Sequence, residues 1–93
     1  MKHADLKPRK ETVETVEYSY TTVFEPAAEG GYVVTVPALP GLVTEGDTLK
    51  EARAMVREAI LGYLESLQKH NEEIPIELGR AITERVAVTF SRA

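Results

Sequence analysis

Thr48-Leu49-Lys50-Glu51 has the form of a capping box. The Thr48 hydroxyl can accept from the amide of Glu51, and the Glu51 carboxylate can reach back to the amide of Thr48, so two orphan donors of a helix start are satisfied together. Behind it Leu49, Ala52, Val56, Ala59, Ile60, Tyr63, Leu64 and Leu67 recur at spacings of three and four. They form one apolar stripe, with Lys50, Arg53, Arg57, Glu58, Glu65 and Lys69 mostly off it. The helix is expected to run to about His70, where Asn71 and then Pro75 end it. Roughly 22 residues at 1.5 Å rise make a rod of about 33 Å. A helix with one apolar face needs a second layer against that face.

The residues before the helix supply the layer. From Val16 to Phe24, Tyr18, Tyr20, Thr22 and Phe24 alternate with Glu17, Ser19, Thr21 and Val23, which is the period of a strand. Glu25 to Gly31 ends it, and Gly30-Gly31 supplies the positive φ values of a hairpin turn. A second strand, Tyr32–Val36, stops at Pro37. Pro37-Ala38-Leu39-Pro40-Gly41 is an irregular loop, and Leu42–Glu45 is long enough for a short third strand. After the helix, Glu84 to Phe90 alternates again with Val86, Val88 and Phe90 on one face, so a fourth strand is expected there. The expected fold class is α+β: a small mixed or antiparallel sheet in β-β-β-α-β order, with one long helix on a face. Residues 1–15 carry Lys2, Lys7, Arg9, Lys10 and Pro8 with few large apolar groups, and are expected to be a flexible tail before one domain at 16–93.

Ninety-three residues make one small core, and with no Cys it has no disulfide staple. Self-association would supply the missing buried area. A long helix covers one face of the sheet only, and Val23, Val33 and Val43 leave the other face partly apolar. A homo-oligomer is therefore expected, with Val86, Val88 and Phe90 as its interface. The net charge of −4 disfavours non-specific nucleic-acid binding and suits a basic partner. No apolar run is long enough to span a bilayer and the N-terminus lacks a signal-peptide core, so the expected location is cytoplasmic.

Catalytic chemistry has little to stand on. His3 and His70 lack a second His or a Cys at metal-ligand spacing, so no metal and no cofactor are expected. Ser19, Ser66 and Ser91 lack nucleophile-elbow context, and no Gly-rich phosphate loop precedes a helix. A metal-dependent nuclease of the RNase H type could open with a β-β-β-α order, but it needs several carboxylates converging on two ions. Tyr20-Thr21-Thr22-Val23 carries none, and Asp occurs only at Asp5 and Asp47. The aromatic residues of the first two strands stand beside Glu17, Glu25 and Glu29 rather than basic residues, which favours packing over stacking on RNA. No catalytic residue is assigned.

Several blocks resemble one family. Tyr20-x-Thr22-x-Phe24-Glu25-Pro26, Glu29-Gly30-Gly31-Tyr32-Val33-Val34-Thr35-Val36-Pro37, Leu39-Pro40-Gly41 and Thr44-Glu45-Gly46-Asp47-Thr48-x-x-Glu51-Ala52 follow one another as in HicB-family antitoxins. Ala59 and Tyr63-Leu64-Glu65 continue the pattern, which covers about residues 18 to 76. The resemblance implies a HicB-like domain with a partial, degenerate RNase H-like sheet. It implies an antitoxin that binds and neutralises a small basic HicA-type toxin, a ribonuclease that cleaves mRNA. The alternative is a stand-alone oligomeric regulatory or scaffolding protein of the same fold. Many HicB proteins add a helix-turn-helix or ribbon-helix-helix module that binds the operator; after Glu84 only one strand is expected here, so DNA binding is not. Leu42 stands where the family often has Cys. The expected contact rim for a basic toxin is Glu25, Glu29, Leu39 and Glu45, chosen for its acidity and its irregular Pro-Gly backbone.

Overall fold

The computed structural model describes residues 15–92; the expected flexible tail lies outside the described residues except for Thr15. Among the described residues three strands precede one helix: β1 (Val23–Pro26), β2 (Tyr32–Thr35), β3 (Val43–Gly46) and α1 (Leu49–Lys69). The strands form an antiparallel sheet in the order β1-β2-β3. The α+β class stands, as a three-stranded sheet with one long helix on a face.

Register decides what faces the helix. Phe24, Val34 and Thr44 lie opposite one another in one row, and Pro26, Tyr32 and Gly46 in the next on the same face. Buried Val34 and Val36 join Leu39, Leu42, Ala52 and Val56 in the core, with Tyr20, Phe24, Tyr32, Ala59, Ile60, Tyr63 and Leu64 packed around them. The middle of the helix stripe read from the sequence, Ala52 to Leu64, is thus the stripe that packs.

Local chemistry explains the boundaries. The β1–β2 hairpin closes through Ala27 N–H to the Gly31 carbonyl at 2.9 Å and Gly30 N–H to the Ala27 carbonyl at 3.0 Å. Gly30 and Gly31 take φ of 105° and 77°, values that L side chains resist. At the helix start the Glu51 amide donates to the Thr48 hydroxyl at 3.0 Å, as expected. The Glu51 carboxylate reaches one residue further back than the box requires, accepting from the Asp47 amide at 2.5 Å. At the other end Asn71 is left-handed with φ of 56°. Glu72 N–H bonds to the Leu67 carbonyl at 2.8 Å and Asn71 N–H to the Gln68 carbonyl at 3.1 Å, the paired closure of a Schellman motif.

Two expectations change. The first strand is shorter at its start than Val16–Phe24 and runs two residues past Phe24. In this register Val23 faces Thr35, so anything before Thr22 would have to pair with Pro37 and the turn after it, which offers no ladder. The second change is larger: Glu84–Phe90 forms no strand, and every residue from Leu78 to Arg92 is exposed. Alternation specifies a face, but a strand exists only through a neighbour's backbone, and no described part of this chain pairs with the segment.

Candidate functional site

The face of the sheet away from the helix carries two rows. Val23, Thr35 and Val43 form one; Glu25, Val33 and Glu45 form the other. Two of the predicted contact residues are therefore brought together, with Glu25 and Glu45 flanking Val33 at about 10 Å across two strand spacings. Both are exposed. Val43 on the same face is 64% exposed, so this surface is a mixture of apolar floor and acidic side chains.

Glu29 is exposed in the hairpin loop. It shares a shallow depression of about 700 Å³ with Glu45, Asp47 and Glu51, over a floor that includes Tyr32, Val33 and Met55. None of its lining residues is basic. Asp47, Glu51 and Met55 were not among the contact residues expected from the sequence. The signal for the first two was present, since the capping box puts both carboxylates at the helix start, directly after β3.

Leu39 is a correction. Its side chain is fully buried in the core, so it offers nothing for a partner to touch. The loop around it is folded by Leu39 N–H to the Val36 carbonyl at 2.9 Å and Leu42 N–H to the Leu39 carbonyl at 3.2 Å. The Tyr63 hydroxyl of the helix donates to the Pro40 carbonyl at 2.9 Å. An irregular Pro-Gly backbone here seats an apolar plug under the helix; it does not present one outward.

A second surface lies beside β1. The helix packs on β3 and β2 rather than on β1. This leaves a groove of about 570 Å³ between Tyr20, Thr22 and Phe24 on one wall and Ile60, Leu61 and Leu64 on the other. The period-two face expected of the first strand survives here as that wall, although Tyr20 and Thr22 have no ladder partner. The rings of Tyr18 and Tyr20 lie parallel, with centroids 6.4 Å apart.

The chain leaving the helix is pinned to this arm. The Tyr20 hydroxyl donates to the Pro75 carbonyl at 2.6 Å, and the Thr21 amide donates to Glu77 Oε1 at 2.8 Å. The Thr21 hydroxyl donates to Glu77 Oε2. These bonds, from the hydroxyl first and the amide second, hold the Glu77 carboxyl below its usual range. Burial, then the neighbouring Tyr18 and Glu77, push the Tyr20 phenol above its own. Beyond this clamp Val86, Val88 and Phe90 are 76%, 82% and 81% exposed.

Among the described residues no three His, Cys, Asp or Glu side chains stand together as a metal site. His3 lies outside them; His70 Nδ1 stands 2.8 Å from the Ser66 carbonyl at the helix end. No described helix is long and apolar enough to cross a membrane.

Comparison with known proteins gives these surfaces a context. The chain is 52% identical over 64 residues to UPF0150 protein Ta0767 of Thermoplasma acidophilum, a match covering 69% of this chain and 93% of the relative. It is 40% identical over 57 residues to antitoxin HicB 1 of Photorhabdus laumondii, and 35% identical over 57 residues to antitoxin HicB of Escherichia coli K12. Each match covers 61% of this chain, but only 37% and 41% of those two proteins, so the chain spans about two fifths of the HicB relatives. The family described as HicB_like antitoxin of bacterial toxin-antitoxin system matches residues 20–90, from the groove wall through the helix to the exposed tail. Over that span the chain belongs to the HicB-like antitoxins.

Proposed function

We propose that this chain is an antitoxin that binds and neutralises a small basic HicA-type toxin, an mRNA-cleaving ribonuclease, in the cytoplasm. The observation that carries the reading is family membership over residues 20–90. The acidic face supports it: Glu25 and Glu45 share one row, and Glu29, Asp47 and Glu51 line the adjoining depression. A basic ribonuclease must expose cationic side chains to hold RNA phosphates. An acidic, partly apolar surface competes for the same side chains, speeding encounter and setting register. In this reading Glu25, Glu29 and Glu45 are contact residues, Leu39 is not, and the chain contributes no catalytic group.

Co-expression with the small basic protein encoded beside it tests the proposal. Growth arrested by that protein alone should recover when both are made, and the two should co-purify. Continued arrest with both proteins folded, or the lack of such a neighbour, rejects it. In the second case the chain reads as a stand-alone oligomer of the same fold, which its exposed apolar tail favours.

A further inference from the structure

We propose that two copies of this chain exchange their C-terminal segments, Glu84–Phe90 of each lying beside the β1 arm of the other. Val86, Val88 and Phe90 then fill the groove between that arm and the helix. This deepens the self-association expected from the sequence and does not depend on toxin binding. Three observations carry it.

The groove is open and more apolar than polar, with Arg53 and Arg57 also among its lining residues. Tyr20 and Phe24 form part of one wall and Ile60, Leu61 and Leu64 part of the other, and Leu61 is 56% exposed. Among the described residues β1 is also an edge strand, with β2 on one side and no ladder on the other. An open edge beside an apolar groove fits one kind of occupant, an extended strand with apolar side chains on one face.

The tail has that pattern and, among the described residues, no ladder partner. Its large apolar residues alternate, they are 76–82% exposed, and its backbone joins no ladder. Seven residues at roughly 3.4 Å each span about 24 Å, which matches the arm from about Tyr18 to Phe24. Exposed apolar residues grouped in this way mark a surface that a partner covers.

The Glu77 clamp favours exchange over a fold-back. It fixes the exit of the tail at Thr21, halfway along the arm that the strand must line. Gly79, Arg80 and Ala81 still border Ser19, Tyr20 and Thr21, and every residue from Leu78 to Arg92 is exposed. Two reciprocal insertions double what one tail buries. Phe90 contributes about 150–250 Å² per copy. The valines and the groove walls of both copies must supply the rest of the roughly 1,200–2,000 Å² of a standard interface.

The chain has no Cys, so a single engineered pair reports the contact. Leu61→Cys and Val88→Cys, both at exposed positions, are introduced together and oxidised in the full-length protein. Sedimentation of the unmodified chain is expected to give a dimer at tens of micromolar, and the oxidised variant is expected to run at twice the chain mass without reductant. A chain ending after Ile82 should sediment as a monomer. A full-length monomer overturns the proposal. So does a disulfide closed within one chain, which would mean that the tail covers its own groove, and so does a dimer in which the pair does not link. Neither readout involves a toxin, so failure here and failure to neutralise remain distinct results.

Discussion

Gly46 and Ala52 meet backbone to backbone. A Cβ built on Gly46 would lie 2.5 Å from the Ala52 amide nitrogen and 2.7 Å from its Cα, where the last residue of β3 passes under the first turn of the helix. Neither atom is the end of a flexible side chain, so nothing can swing away. Gly46→Ala is expected to cost about 1–3 kcal/mol through overpacking. In a domain of this size that lowers the melting temperature by roughly 4–8 °C per kcal/mol. Thermal denaturation followed by circular dichroism measures it, and an unchanged midpoint would show that the helix can shift.

Leu39 and Glu45 should separate folding from recognition. Leu39→Ala removes a fully buried side chain and is expected to cost about 2–5 kcal/mol. Glu45→Gln, at an exposed position, should stay within about 0.5 kcal/mol of the parent. Toxin capture should then respond in the opposite order once folding is controlled, with Glu45→Gln slowing association and flattening its salt dependence. Denaturant titration and stopped-flow binding are the two measurements. Equal stability of both variants would contradict the burial of Leu39.

Thr48→Ala removes the acceptor for the Glu51 amide and is expected to cost about 0.5–2 kcal/mol. Thr48→Ser, which keeps the hydroxyl, should recover most of that. Urea midpoints of the three proteins decide between a cap that matters and one that water replaces.

The Glu77 clamp should open in acid. The carboxyl titrates below the usual glutamate range because its charged form accepts two bonds from Thr21. Its contribution is therefore fully present above the unfolded-state value and is lost as pH falls through the depressed folded-state value. The Thr21 amide resonance should move with that titration, and Glu77→Gln should remove the pH dependence. A Thr21 signal insensitive to acid would show that the carboxylate does not hold the amide.

Much of this was legible in the sequence because it is local. The capping box, the Gly30-Gly31 turn and the Asn71 stop each depend on residues within one turn of chain, and each stands where it was read. The stripe from Ala52 to Leu64 was legible because period alone decides which face is apolar. Leu39 was misread because the direction of a side chain in a Pro-Gly loop depends on what lies beneath the loop, here β2 and the helix, and no period reports that. The Glu84–Phe90 segment failed as a strand of its own chain for a related reason: alternation names the face, not the neighbour. Glu77 went unnoticed because its partner, Thr21, is remote in sequence.

The corner where Gly31, Gly46 and Ala52 crowd together has a consequence for how such a chain can diverge. A Cβ on Gly31 would meet the Gly46 carbonyl at 2.6 Å, so at that corner the main chain itself is the tightly packed surface. Glu29 and Glu45 border it at exposed positions, where substitution costs little. A lineage can rewrite the charges around this corner one codon at a time, and change which partner is preferred, while the scaffold beneath stays frozen by three small residues.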